Sequence, residues 1–390
     1  MATTTNTEYE ALVADVTAWV EGPGEEWARR VESTGTVPDA LFSELRERGY
    51  LSMAAPVELG GRGLSFSQWM GLMEVFSRSH ASIRMLVHVV NGTWRAMVPY
   101  ANAQQVEKYI KPSILGEKLI AFTLTEPGNG TGADISCSVR REGDTYYLSG
   151  QKHLITFGLK CDWWLLFARL EGTTGGDQLV GLLVDRGAAG VTATDMGETM
   201  GVHGTDHALL TFENTPVPVA QRLGEEGDGL EMALGGFLTP SRVSVAMSCV
   251  GLAERAQQLA VDYAATRVTF GKPIAKRQAI AFMIAENQAD IEAAKQLVLH
   301  AARRWDAGDP EASALSSMAK IVAVDMLGRV TDKALQVHGG IGYWKSSAIE
   351  RVYRDARAQR FEEGTNEIQK TVVARDIFRA REAARSGGAR

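Results

Sequence analysis

Three short segments combine residue types and spacings that suit chemistry. Thr125-Glu-Pro-Gly-Asn-Gly-Thr-Gly132 follows an apolar run and sets glycines at alternate positions. Such a loop lets the backbone approach a ligand closely and offers N–H groups to an anion or a polarised ring. Its spacing is not the dinucleotide fingerprint, and an ordinary surface loop explains the same residues. Arg267-Val-Thr-Phe-Gly-Lys-Pro273 flanks a Phe-Gly turn with two cations, which could hold a pyrophosphate while the ring covers an adjacent face. A helix end with Arg near the dipole and Gly at the stop accounts for it equally well. Phe361-Glu-Glu-Gly-Thr-Asn-Glu-Ile-Gln369 places a carboxylate beside a glycine, after the basic stretch Arg351, Arg354, Arg357 and Arg360. That suits a general base on a loop; a solvated acidic face made of Glu362, Glu363 and Glu367 is the plain alternative.

Other arrangements carry less. His203 and His207 are spaced i, i+4 but sit in a Gly-containing segment without a third ligand in reach, so no metal site is expected. Ser241-Arg242 reads as a helix-capping serine and its neighbour. There is no G-x-S-x-G elbow for a hydrolase. Cys137, Cys161 and Cys249 are far apart and form no CxxC pair, which fits a reducing compartment. The formal net charge of −6 gives no reason to expect a nucleic-acid partner. The first residues lack a basic start and an apolar stretch, so no signal peptide is expected, and no run approaches the ~20 apolar residues of a membrane span. A cytoplasmic location is the expectation.

The elements that must position these segments fall into three zones. From about residue 7 to 117 apolar residues recur at helical spacing, as in Leu12, Val16 and Val20, or Trp69, Leu72, Met73 and Phe76. From about 118 to 222 short runs rich in β-branched and aromatic residues predict strands at Leu119–Leu124, Tyr146–Leu148, Trp163–Phe167, Leu179–Val184 and Ala208–Phe212. Glu142-Gly143-Asp144 reads as a hairpin turn, and the stretch with Pro216 and Pro218 as the end of the last strand. From about 228 the helical period returns, with Ile284, Ile291, Ala294 and Val298 on one face and Ile321, Val324, Leu327 and Leu335 on another. Without βαβ alternation a doubly wound sheet is disfavoured. The expected fold is mixed α and β: an N-terminal helical domain (1–117), a central antiparallel β-barrel (118–227) and a C-terminal four-helix bundle (228–390).

Taken together the segments resemble the acyl-CoA dehydrogenase family over nearly the full length. Pro56 to Gly63 is similar to its Pro-x-x-x-Gly-Gly-x-Gly loop, Leu124-Thr-Glu-Pro-Gly128 to its flavin-contacting segment, and Gly150-Gln-Lys-His-Leu-Ile-Thr156 to its Gly-x-Lys-x-Trp-Ile-Thr strand. Arg267–Pro273, Gln336–Gly340, Tyr353–Arg357 and Glu363–Gln369 follow in the family's order. The resemblance implies the same three-part fold, usually as a homotetramer, with homodimers as the alternative. It implies FAD as cofactor, with Thr125 and Thr156 bonding the flavin ring and Thr365 also at the cofactor. Arg267, Thr269, Phe270, Gln336 and Gly340 would meet the FAD of a neighbouring subunit. Glu363 matches the base that removes the α-proton of an acyl thioester while the β-hydride passes to flavin N5. Arg242 matches an arginine kept near that base. Leu154 departs from the family's tryptophan, and Thr131-Gly132 from its Ser-Asp.

The implied activity is α,β-desaturation of an acyl-CoA in fatty acid metabolism, with electrons leaving to an electron-transfer flavoprotein. A carrier-protein-bound acyl group is the nearest alternative, and a flavin monooxygenase or oxidase of the same fold the next. In the family, the helix matching Ile83 to Asn91 lines the far end of the acyl pocket. Here it carries Arg84, Met85, Leu86 and His88, which favours a short or functionalised acyl group unless those side chains point elsewhere.

Overall fold

The computed structural model describes residues 4–129, 134–174 and 178–387. Five principal helices come first: α1 (Asn6–Glu21), α2 (Pro23–Thr34), α3 (Asp39–Glu47), α4 (Phe66–Phe76) and α5 (Ala81–Met97). Local sequence writes several of their starts. Thr5 and Ser65 cap α1 and α4 with their hydroxyls, and Glu8 and Gln68 reach back to the cap backbone, satisfying N–H groups a helix start leaves open. His80 begins α5, its Nδ1 accepting the Ser82 N–H at 3.1 Å. From Ala81 to Asn91 every side chain of α5 is buried. Its polar residues must therefore find partners inside the protein. Asn91 does so by accepting from Ala54 N–H and donating to the Tyr50 carbonyl, both near 3 Å.

Eight strands follow: β1 (Ile120–Thr123), β2 (Ser138–Glu142), β3 (Thr145–Thr156), β4 (Trp163–Leu170), β5 (Leu179–Asp185), β6 (Val191–Asp195), β7 (His207–Pro218) and β8 (Arg222–Leu223). Their order is β6-β7-β3-β2-β4-β5-β8, with β1 beside β4. Most neighbours are antiparallel, whereas β1 and β2 run parallel to β4. The expected hairpin turn joins β2 to β3, with Gly143 at φ 58°.

Two expectations change. β3 runs well past Leu148, carried through a register shift between Lys152 and Ile155 where Leu154 takes a φ of 56°. β7 continues through both prolines, with Pro216 opposite Tyr147 and Pro218 opposite Thr145. The reason is that β6 pairs only with Ala208 to Phe212, so the last part of β7 has β3 on one side alone. A proline that lacks an N–H is tolerated on such an edge.

The chain then returns to helices: α6 (Thr239–Thr266), α7 (Gln278–Asp306), α8 (Ala312–His338), α9 (Ala348–Ala358) and α10 (Asn366–Gly387). A short ribbon of β9 (Val268–Thr269) and β10 (Lys272–Pro273) links α6 to α7. Ile291, Ala294 and Val298 of α7 and Val324 and Leu327 of α8 are buried, along the faces their spacing predicts. The helical blocks lock together at two points. The Asp306 carboxylate, at the end of α7, accepts the Phe66 and Ser67 N–H groups at 2.7 and 2.8 Å and so caps α4. Gly251 of α6 faces α4 so closely that a Cβ there would lie 2.1 Å from the Glu74 carbonyl oxygen. Among the described residues, no helix is long and apolar enough to cross a membrane.

Candidate active site

Glu363 stands in the turn between α9 and α10, held at φ 54° and followed by Gly364 at φ 93°. A non-glycine residue in the left-handed region is uncommon and persists where surrounding contacts impose it. Those contacts are present. Gln369 donates to the Glu363 and Gly364 carbonyls at 3.0 and 3.2 Å, and Lys320 of α8 donates to the Gly364 carbonyl. Arg242 of α6 brings its Nε to 3.5 Å from the Glu363 carbonyl. Gln369 is itself tied to Ser317, and Thr365 accepts the Ile368 N–H, as a cap of α10 does.

The Glu363 side chain is 16% exposed. Ser241 of α6 donates its hydroxyl to Glu363 Oε1 at 2.7 Å, and His88 Nε2 of α5 lies 2.9 Å from that hydroxyl. Ser241 does not cap α6, contrary to expectation. A π-helical turn, Met232–Leu238, already feeds α6, so the hydroxyl is not needed by the helix start and reaches across to Glu363.

Glu362 faces a different partner. Arg84 of α5 clasps its two carboxylate oxygens with paired N–H groups, each at 2.9 Å. Burial opposes ionisation of Glu362, but the Arg84 charge and hydrogen bonds, with His88 and Lys320 behind them, prevail and hold it below the usual carboxylate range. Burial lowers the proton affinity of Arg242, against the pull of Glu363. Adjacent glutamates thus differ sharply: one is neutralised by a bidentate arginine, and the other is left with a hydroxyl donor. Glu367 is exposed. Arg84 and His88 both reach toward this turn, Arg84 onto Glu362 and His88 onto the Ser241 hydroxyl.

A second group gathers at the sheet. Thr125 and Thr156 are both half-buried. The Thr125 carbonyl accepts the His153 N–H at 3.0 Å, which draws their segments side by side. Beneath them Lys152 and Glu126 form a buried pair at 2.9 Å, and Lys152 also donates to the Leu124 carbonyl. Glu126 accepts the Ser136 and Cys137 N–H groups as well, so its charge is well compensated. Leu154 is 53% exposed, beside this surface. Thr131-Gly132 lies outside the described residues; Asp134 is exposed.

A third group lies at the start of the β9–β10 ribbon. Arg267, Thr266, Tyr263, His338, Gly340 and Ile341 line an open groove of about 520 Å³. Tyr263 and His338 stack at 4.5 Å, and the exposed Gln336 precedes His338 by about half a turn of α8. Thr269 gives its carbonyl to Arg277, whose guanidinium covers one face of the Phe270 ring. Phe270 is nevertheless 97% exposed at the ribbon tip, at φ 48°. A larger groove, about 1310 Å³, lies between α1–α2 and α6–α7 and includes none of these residues.

The residues fit a flavin dinucleotide. Half-buried Thr125 and Thr156, braced by Lys152–Glu126, would supply hydroxyls to a planar ring, and the groove offers an arginine and a glycine with no carboxylate among its described lining residues, as a pyrophosphate requires.

Family models for the acyl-CoA dehydrogenase N-terminal, middle and C-terminal domains match residues 6–117, 121–215 and 227–378. The chain is 35% identical over 356 residues to the 3-(aryl)acrylate reductase of Clostridium sporogenes, covering 90% of this chain and 93% of that protein. It is 35% identical over 346 residues to the caffeyl-CoA reductase-Etf complex subunit CarC of Acetobacterium woodii, covering 88% and 91%. The structure of butyryl-CoA dehydrogenase from Megasphaera elsdenii superposes with a TM-score of 0.90 at 30% identity, over 97% of this chain and 100% of that one.

Proposed function

The chain belongs to the acyl-CoA dehydrogenase family, and on that premise we propose that it is an FAD-dependent enzyme that introduces a double bond between Cα and Cβ of an acyl-CoA. The observation that carries the reading is Glu363: a carboxylate on a strained turn, fixed through its backbone by Gln369 and Arg242 and given a hydroxyl donor by Ser241. A base of this kind needs a set position more than a strong charge, because proton transfer demands alignment with the Cα–H bond. Glu363 takes the α-proton; as the neutral acid it returns that proton in the reverse direction, the sense in which the relatives named reductases are named.

Thr125 and Thr156 orient the flavin ring, and Arg267, Thr269, Phe270, Gln336 and Gly340 serve its phosphate and adenine side from a neighbouring subunit. Thr365, two residues beyond the base, also contacts the cofactor. Bound FAD supplies the hydride acceptor. The exposed Phe270, Tyr343 and Trp344, at 97%, 77% and 62%, support a homotetramer in which those rings are covered. An electron-transfer flavoprotein is the proposed electron acceptor, in the cytoplasm, within fatty acid metabolism.

The test is an anaerobic titration of the purified yellow protein with butyryl-CoA and with branched and medium-chain acyl-CoAs. Bleaching of the flavin band by any of them supports desaturation of a coenzyme A thioester. A flavin that none of them bleaches counts against it and turns attention to carrier-protein thioesters.

A further inference from the structure

Two backbone hydrogen bonds pin the entry of β7. The Phe157 N–H donates to the Asp206 carbonyl at 2.9 Å, and the Met196 N–H to the His207 carbonyl at 3.0 Å. In that frame His207 stands directly opposite Thr156. Opposed residues of an antiparallel pair project to the same side of the sheet. The neighbouring pair, Ile155 and Ala208, is buried, whereas Thr156 and His207 are both half-buried on the other side. His207 therefore stands on the same surface as Thr156.

The protein does not satisfy this imidazole. Its Nδ1 is inaccessible to solvent and has no hydrogen-bond partner among the described residues. Thr205 Oγ1, two residues earlier, is in the same condition, on a residue 7% exposed. The entry of β7 thus carries two open polar atoms. A buried polar atom without a partner costs stability, and it is retained where something besides the fold uses it.

Burial holds His207 below the ordinary histidine range, so the ring is neutral at neutral pH. It does so against the charges of Asp206 beside it, Glu362 in the turn and Asp195 at the end of β6. The Thr205 carbonyl pulls the same way as those carboxylates but makes no hydrogen bond to Nδ1. Arg84 already clasps Glu362. His203, four residues before, is paired with Glu32, so the two histidines of that spacing have separate roles.

We propose that His207 is a further residue of the flavin site, whose Nδ1 takes its hydrogen-bond partner from bound FAD. The proposal rests on the reading of Thr156 as a residue that faces the ring. A neutral imidazole can donate or accept there without fixing a charge beside the cofactor. Without FAD the open nitrogen weakens the fold, and with FAD it is satisfied. The residue exchanges stability of the chain for affinity.

The test follows FAD release from the flavin-loaded enzyme on dilution, read by the rise of flavin fluorescence. His207→Leu should weaken FAD binding at least fivefold, the range of one hydrogen bond. His207→Asn, which keeps a polar atom at the Nδ1 position, should lie within twofold of the unmodified enzyme. Equal weakening in both variants assigns the effect to ring bulk and overturns the proposal, as does unchanged affinity in His207→Leu. Urea unfolding, followed by tryptophan emission at concentrations where FAD has left, separates this role from a structural one. There His207→Leu should unfold at the same or a higher urea concentration than the unmodified protein, because leucine buries no open nitrogen. A lower midpoint shows that the fold itself uses the ring, which also overturns the proposal. Thr156→Ala tests the underlying surface. Weakened FAD binding in Thr156→Ala with none in His207→Leu removes His207 alone, whereas unchanged binding in both removes the surface as the flavin site.

Discussion

Arg84 grips Glu362 with two hydrogen bonds of 2.9 Å, and the residue so neutralised is the immediate neighbour of Glu363. The pair offsets a second negative charge beside the base, and it anchors the turn to α5. Breaking one side of a buried pair leaves an uncompensated charge, which costs about 3–5 kcal/mol, whereas replacing both sides with apolar groups costs far less. Arg84→Met should therefore destabilise the protein by about 3 kcal/mol in denaturant unfolding, and Arg84→Met with Glu362→Leu should recover most of that loss. Equal loss in the single and double variants contradicts the pairing argument.

Glu363→Gln should slow flavin reduction by acyl-CoA at least ~10²-fold, the lower range for a positioned general base. The flavin spectrum should remain, because no cofactor contact is assigned to that side chain. Stopped-flow absorbance decides it.

Gly364→Ala asks whether the turn geometry matters. The new residue would have to hold a φ of 93°, and its Cβ would lie 3.0 Å from Gln369 Nε2, the donor that fixes the Glu363 carbonyl. A cost of about 1–2 kcal/mol is expected, with the rate of flavin reduction falling further than acyl-CoA affinity. A variant with normal kinetics shows that the base does not depend on this turn.

Lys152→Met strips the cation from buried Glu126. Burial lowers the proton affinity of Lys152, against the opposing pull of Cys137 and Glu126. Flavin content, read as the ratio of visible to ultraviolet absorbance, should drop along with thermal stability. Loss of stability with full flavin content would confine the pair to a folding role.

Acid sensitivity should centre on Glu32. Its carboxylate meets His80 at 3.1 Å, His203 at 3.2 Å and Arg354 at 2.7 Å. The His80 hydrogen bond, with help from Arg354 and His203, outweighs burial and holds it far below the ordinary carboxylate range. A folded-state value below the unfolded ~4.3 means the stabilisation is complete above that pH and fades as pH falls toward the folded value. Glu32→Gln should cost about 2 kcal/mol at neutral pH. Urea unfolding at pH 7 and again near pH 3 should show the gap closing; a constant gap rules the linkage out.

That Arg242 lies beside Glu363 was legible from the family resemblance, which matches both positions. Their support was not, because it comes from other elements. Signals for part of it existed. Arg84 and His88 are spaced i, i+4, and that polar pair on one face of an otherwise apolar helix marks side chains with business inside the fold. Lys152 shares strand parity with Tyr146 and Leu148, so it faces the core, where a lysine demands a partner. No local pattern names Glu126 as that partner. Ser241 was hidden by Pro240, which imitates a helix start when the preceding π-helical turn is unknown. The strand β6, Val-Thr-Ala-Thr-Asp, is mostly exposed and lacks the apolar run that strand recognition relies on.

The ion pair between Lys152 and Glu126 also bears on the order of assembly. It bridges the segment carrying Thr125 to the strand ending in Thr156 using protein groups alone, within one subunit. On the proposed reading, the surface for the ring would be complete once a single chain has folded, whereas Phe270 and the groove beside Arg267 would await a second chain. Cofactor capture would then divide into an early weak encounter at a finished platform and a later tightening as subunits meet, so flavin retention should rise with protein concentration.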